Sequence, residues 1–329
     1  MSADKAPRHP TAPTTALSYD HVVDAHQRIA SMIEQTPILT APALDEALSA
    51  SIFFKCEHLQ KTGSFKFRGA SHAVSHLDEH CPGVATHSSG NHGAALALAA
   101  QRMGIPARVV MPQGAIQAKV DAVGRHGGVV EHCAPSQHAR EAGLARWVAA
   151  GWWPIPPYDH PHIIAGQGTL GLELMRQVDA LDVIISPIGG GGLISGIILA
   201  AQGLPVNQRP RIVGVEPSGA DDTYRSIQAR RRISDHQPDT IADGLRALVG
   251  ELNFEIIQRH IDDVICVSEA SIVSAMTWLW EDLKQVIEPS GAVALAGVLK
   301  HPERFAGQRV GVVLSGGNLD LPSPLIDAA

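Results

Sequence analysis

The chain has 329 residues, 45% of them hydrophobic and 18% charged, enough for one or two domains with sizeable cores and too apolar for a disordered chain. A net charge of −7 gives no general attraction to nucleic acid or to anionic lipid. Cys56, Cys81, Cys133 and Cys266 are far apart and form no Cys-x-x-Cys pair, which fits free thiols in a reducing, cytoplasmic compartment rather than a disulfide frame.

Residues 1–18 mix Pro, Thr, Ala and Ser without an apolar core, the composition of a frayed terminus rather than of a signal peptide. Short β-branched runs then alternate with Ala- and Leu-rich stretches. The pattern predicts a helix over 94–103 and a strand over 107–112. A helix near 118–126 and a strand over 127–131 follow, then a buried strand over 182–186 and a helix over 193–201. Further strands are predicted over 211–216 and 309–314. Such alternation means α/β architecture, with two open, twisted, mostly parallel sheets and helices on both faces. Residues 1–76 and 159–329 are expected to form a large domain, and 77–158 a small mobile one. The run Trp152-Trp153-Pro154-Ile155-Pro156-Pro157 reads as a crossing back between them, with the tryptophans packing. Residues 183–208 carry no charge, but Pro187, Pro205 and four consecutive glycines argue against a membrane span.

Four segments carry chemistry. In Ser64-Phe65-Lys66-Phe67-Arg68-Gly69-Ala70, a lysine between two phenylalanines is poorly solvated, so its amine has a lowered pKa and can form an imine with an aldehyde. Gly189, Gly190, Gly191 and Gly192 follow a buried strand and open a helix, the arrangement of a phosphate cradle; the alternative is a tight turn without a ligand. Ser88-Ser89-Gly90-Asn91-His92-Gly93 offers hydroxyls and amides to a carboxylate, or simple helix capping. Ser315 ends an apolar strand ahead of two glycines, where ligands sit in open sheets. Together they point to a pyridoxal 5′-phosphate (PLP) enzyme. Glu216, the Ala220 carbonyl and Asp222 form an oxygen cluster suited to Mg²⁺ or Ca²⁺, or else an acidic turn. His76-Leu77-Asp78-Glu79-His80 matches a zinc-peptidase pattern, with His72 one turn earlier. Cys81-Pro82 cuts that helix short, so a solvated helix face is expected instead.

The chain resembles the fold-type II PLP enzymes, in particular the serine racemase and serine/threonine dehydratase family, which includes 3-hydroxyaspartate dehydratases. The resemblance runs from about Thr36 to Leu321. It rests on Phe54-Lys55-Cys56-Glu57-His58-Leu59-Gln60-Lys61-Thr62-Gly63-Ser64-Phe65-Lys66, Ile164-Ala165-Gly166-Gln167-Gly168-Thr169 and Glu288-Pro289-Ser290-Gly291-Ala292. It implies that Lys66 holds PLP as a Schiff base and then acts as the base at Cα. It implies further that Phe65 lies against the ring and Asn91 reaches its 3′ oxygen. Gly189 to Gly192 with Leu193 would bind the phosphate, and Ser315 would face the pyridine nitrogen. Ser88, Asn91 and His92 would hold the substrate carboxylate, and Ser89 would stand on the face opposite Lys66.

By the same resemblance Glu216, Ala220 and Asp222 hold a divalent cation (Mg²⁺, or Mn²⁺ or Ca²⁺), and the molecule is a homodimer. Arg140 matches an arginine that reaches the far end of the substrate, and a guanidinium favours a second carboxylate there. The expected activity is dehydration of L-serine, L-threonine or 3-hydroxyaspartate to a 2-oxo acid and ammonia. Serine racemase is the alternative, with Ser89 as the second acid. Ala247, where some racemases carry serine, weighs against it. A non-catalytic phosphate-binding module would leave Lys66 unexplained.

Overall fold

The computed structural model describes residues 16–78, 80–88, 90–115 and 117–319. The strands, in chain order, are β1 (Ile38–Thr40), β2 (Ser51–Cys56), β3 (Val84–Thr86), β4 (Ala107–Pro112), β5 (Val129–Cys133), β6 (Trp153–Pro154), β7 (Val183–Pro187), β8 (Arg211–Pro217), β9 (Asp263–Val267) and β10 (Arg309–Leu314). They make a six-stranded sheet in the order β1-β2-β10-β7-β8-β9 and a four-stranded sheet in the order β5-β4-β3-β6. Every pairing is parallel except β1 with β2.

The strands that read as unbroken apolar runs lie at the centre of the larger sheet. Parallel strands covered on both faces have no solvent side, so alternation disappears. One face packs on the helix Pro289–Lys300 through Val293, Leu295 and Val298. The other packs on the helices Pro161–Gln177 and Gly192–Ala201 through Leu170, Ile194 and Ile198. The smaller sheet is drawn wholly from residues 84–154, and its core joins Val84, Leu96 and Trp153 to the helix Lys66–Val74.

Two expectations change. Trp153–Pro154 does more than cross between sheets, because it is itself an edge strand, with Val84 opposite Trp153. The solvated helix face at His72 and His76 is not there. The helix stops at Val74, and His72 is buried against His162. Among the described residues no helix is long and apolar enough to cross a membrane.

Candidate active site

The parallel strands end along one edge, and the site is built there. After β2 the chain turns through Thr62 (φ 65°) and Gly63 (φ 73°). A Cβ at Gly63 would lie 2.2 Å from Asn318 Oδ1, so this turn needs glycine for both its backbone angle and its close approach. It lays Ser64 beside Gly316 as an isolated bridge, and Phe65 N donates to Ser315 O at 3.1 Å. Lys66, the first residue of its helix, is thereby fixed beside the end of β10. Its Nζ donates to Pro157 O at 2.9 Å and stands 4.9 Å from the Phe65 ring centroid. Burial lowers its pKa to about 8, and Glu288 opposes the shift. Phe67 plays no part in this, since it points into the core behind the helix. Neighbouring helix positions face different ways, so only one of the two flanking phenylalanines meets the amine.

The lysine helix is anchored by a saturated ionic network two residues on. Fully buried Arg68 binds Glu57 through Nε (2.7 Å) and Nη2 (2.8 Å), and Glu173 through Nη1 (2.7 Å) and Nη2 (2.8 Å). Lys55 Nζ adds a bond to Glu173 at 2.9 Å, and Thr36 Oγ1 one to Glu57 at 2.5 Å. The Ile164–Thr169 segment works with it: a Cβ on Gly166 would lie 2.8 Å from Gly69 Cα, so small residues let the two helices touch.

Around Lys66 the polar groups are less satisfied. Asn91 Nδ2 donates to Glu288 Oε1 at 2.5 Å, and Asn318 Nδ2 donates to Asn91 Oδ1 at 3.0 Å. Burial pushes the Glu288 carboxyl up to about 7, and its Oε2 has no partner. Ser315 is buried, with Oγ only 3.5 Å from Ser290 O. At the end of the neighbouring β7, Gly191 adopts φ 89° and the helix Gly192–Ala201 begins. The first amides of a helix have no intrahelical acceptor, so the turn presents donors to an anion. Part of its glycine requirement is internal packing, because a Cβ at Gly190 would strike the Tyr158 ring at 2.3 Å.

The remaining predicted residues divide. Ser88 Oγ accepts from Gly90 N at 3.4 Å, and Ser89 lies outside the described residues. The His92 ring is turned inward, donating from Nε2 to Ile155 O at 3.0 Å, and burial lowers its pKa to about 3. A neutral ring with that N–H engaged keeps only an acceptor at Nδ1, so His92 can offer an anion its main-chain amide but no ring donor. Arg140 Nη2 donates to Gln137 Oε1 at 2.5 Å; burial lowers the pKa of His87, next to Ser88, and the Arg140 charge adds to that shift.

The match to known proteins agrees with this arrangement of amine, glycine turn and strand-end serine. A family model described as "Pyridoxal-phosphate dependent enzyme" matches residues 29–316. The chain belongs to that family. It is 48% identical to the beta-hydroxyaspartate dehydratase of Paracoccus denitrificans over 92% of this chain and 97% of that protein. It is 46% identical to the serine racemase of Arabidopsis thaliana over 92% of this chain and 93% of that one. The structure of maize serine racemase superposes with a TM-score of 0.91 at 42% identity, covering 95% of this chain and 97% of that chain.

The residues present in this PLP-dependent enzyme suit its cofactor. Lys66 supplies an amine whose pKa is lowered toward neutrality, the glycine turn supplies amides for a phosphate, and Glu288, whose charge acts on Lys66, keeps an Oε2 with no hydrogen bond among the described residues. The second polar centre lies at the end of β8. Glu216 accepts from Thr223 N (3.1 Å) and Tyr224 N (2.8 Å), and Asp222 Oδ2 accepts from Val249 N (2.8 Å). Asp222 Oδ1 is buried without a hydrogen bond, and Ala220 is buried beside it in sequence. Burial and the neighbouring Asp222 charge push Glu216 up to about 8. Two buried carboxylates suit a hard divalent ion, and the group that faces Asp222 Oδ1 is the buried His236 ring, with Nε2 at 3.7 Å. Sequence reasoning gave no role to Glu288, Pro157 or Arg68. All three stood inside quoted segments, Pro157 in the run read only as a crossing between domains, and nothing local pointed its carbonyl at Lys66.

Proposed function

We propose that the protein is a PLP-dependent ammonia-lyase that dehydrates a β-hydroxy amino acid (3-hydroxyaspartate, L-serine or L-threonine) to a 2-oxo acid and ammonia. One observation carries the reading. Among the described residues the Lys66 amine is held by a single carbonyl at 2.9 Å, and burial lowers its pKa to about 8, so a substantial fraction is neutral near physiological pH. When bound, PLP supplies an electron sink for charge developing at Cα. Lys66 Nζ takes the Cα proton. Phe65 would flank the cofactor ring and Asn91 would meet its 3′ oxygen. The amides of Gly189 to Gly192 and Leu193 would hold its phosphate. Ser315, a neutral hydroxyl, would face the pyridine nitrogen and add no charge there.

Ser88, Asn91 and the His92 amide hold the substrate α-carboxylate. Arg140 receives a second carboxylate, which favours 3-hydroxyaspartate; its influence on His87 supports a position near that loop. Glu216, the Ala220 carbonyl and Asp222 hold Mg²⁺, Mn²⁺ or Ca²⁺, supported by an Asp222 oxygen that makes no hydrogen bond among the described residues and has only the His236 ring, at 3.7 Å, facing it. Residues 77–158 move as a small domain against 1–76 and 159–329. Side-chain pairs such as Asn91–Glu288, Asn91–Asn318 and Lys119–Asp243 link the two parts and can open and close with them. The family resemblance supports a homodimer, and four free cysteines support a cytoplasmic setting. Racemisation of serine is a second activity that would use Ser89 as the acid on the other face.

A substrate panel tests this: L- and D-serine, L-threonine, and threo and erythro 3-hydroxyaspartate, each with and without Mg²⁺, scored for ammonia, 2-oxo acid and enantiomer. Equal amounts of ammonia and 2-oxo acid from at least one β-hydroxy amino acid are expected. Arg140→Ala should raise KM for 3-hydroxyaspartate by about tenfold or more, the worth of a charge-assisted hydrogen bond, and leave L-serine within about threefold. Ammonia release from none of them overturns the reading. D-serine formation that Ser89→Ala abolishes supports the second activity.

A further inference from the structure

The histidine-rich segment set aside as a peptidase motif takes part in a different constellation. His72 and His76 are one helical turn apart in sequence, and their Nε2 atoms lie 3.0 Å from each other. The His162 ring stacks on His76, with centroids 3.8 Å apart and planes at 12°, and meets His72 edge-on at 5.4 Å. One ring nitrogen from each of the three falls within 4.8 Å of the others. They line a cavity of about 760 Å³ under the helix Tyr19–Ile29, which contributes His21, Asp24 and Arg28 to the same wall.

The protonation pattern is that of ligands. His72 Nδ1 donates to His162 O at 2.7 Å, so its Nε2 carries a lone pair aimed at His76. A histidine fixed through one nitrogen by a backbone carbonyl, with the other bare, is how metal-bound imidazoles are oriented. Burial and mutual repulsion hold His72 and His76 at a pKa of about 4 and His162 at about 3, so all three are neutral at physiological pH. His76 Nε2 now donates to His72; a tautomer shift to Nδ1 frees that atom without any net change in charge. At a metal–nitrogen distance of about 2.0–2.1 Å, two imidazoles on one tetrahedral ion have nitrogens about 3.3 Å apart, close to the spacing already present for His72 and His76. The third ring is held by stacking on His76, and because imidazole lone pairs lie in the ring plane, His162 or His76 must turn out of that stack to meet a shared ion. The adverse group is the Arg28 guanidinium, which is itself held by the Ser75 carbonyl at 3.3 Å, and Asp24 lines the same space.

We infer that His72, His76 and His162 form a binding site for a divalent transition-metal ion of the Zn²⁺, Ni²⁺ or Cu²⁺ class, with water completing the shell. Imidazole donors suit those ions and not Mg²⁺ or Ca²⁺, which separates this site from the Glu216 and Asp222 carboxylates. Its position gives it an effect. His76 stands just past the lysine helix, where the chain leaves for the second sheet, and His162 opens the helix by which it returns. An ion bound to both ties the two connections together and restrains movement of residues 77–158, slowing turnover.

The test uses tag-free holoenzyme saturated with Mg²⁺ and dialysed against Zn²⁺, with bound zinc measured by elemental analysis. Wild-type protein should retain one Zn²⁺ that excess Mg²⁺ does not displace. His76→Ala and, separately, His162→Asn should weaken binding by no less than the roughly 10- to 100-fold that loss of even an outer partner costs. Circular dichroism and the cofactor absorbance establish that each variant is folded. Zinc uptake by wild type equal to that of the folded His76→Ala protein, or displacement by Mg²⁺, overturns the site. Zn²⁺ should slow turnover of wild type and not of His76→Ala; equal inhibition of both overturns the restraint. Binding is read without turnover, so its failure is distinct from a failure of the lyase reading.

Discussion

Lys55 and Lys66 are both withdrawn from water, and their surroundings set them apart. Lys55 Nζ donates to Glu173, Gln177 and the Thr36 carbonyl at 2.9, 2.7 and 2.9 Å. Its three protons are used, and although burial lowers its pKa, the neighbouring carboxylates oppose that shift. With Arg68, Glu57 and Glu173 it forms a set of two cations and two anions in which each charge has an opposite partner. Lys66 has one carbonyl and, among the described residues, no bonded carboxylate. Burial alone therefore does not make an amine reactive. Burial without a bonded counter-charge does, because the charged form then loses its hydration with little in return. The saturated set anchors the helix, and the unsaturated one is the amine proposed to react.

The comparison can be broken most sharply at Lys66. Lys66→Ala should lower turnover by at least about 10³-fold, the scale of losing a positioned base that also attaches the cofactor, and borohydride should leave no tag on the protein. Its melting temperature should stay within a few degrees of wild type.

Arg68→Met should do the reverse. It strands Glu57 in the core, leaves Glu173 with Lys55 as its one cation, and should cost about 3–5 kcal/mol in urea unfolding, as breaking a buried pair does. A loss below about 1 kcal/mol would mean that the network is not the anchor described.

The smallest effect separates the two lysines by pH. Imine formation needs a neutral amine, and the Lys66 pKa is lowered to about 8. Capture of PLP by the cofactor-free protein should therefore speed up by about tenfold per pH unit below 8 and level off above it. Stopped-flow absorbance reads the rate, and a rise continuing unbroken to pH 10 would put Lys66 back with ordinary lysines.

Much of the fold could be read along the chain. The strand over 309–314 was placed to the residue, and the one over 211–216 stops one residue short of Pro217. Buried parallel strands leave uninterrupted apolar runs, a local signal. The two-residue strand Trp153–Pro154 left no such run, because it exists only by pairing with Val84. The reason the sequence offered for a poorly solvated Lys66 holds by half: Phe65 is beside it, but Phe67 turns away, and Pro157 comes from 91 residues down the chain.

What the sequence determined by itself was the alternation that makes parallel sheets, the glycine turn that opens a helix, and the family to which Lys66 belongs. These are local patterns of hydrophobicity and backbone freedom, visible before anything folds. Only the tertiary structure decided which charges are paired and which are not. That depends on contacts such as Arg68 with Glu173, His72 with His162 and Asn91 with Glu288, between residues 105, 90 and 197 positions apart. A carboxylate or imidazole acquires its charge state from the solvent and partners that folding removes or supplies, and neither is written beside it in the chain.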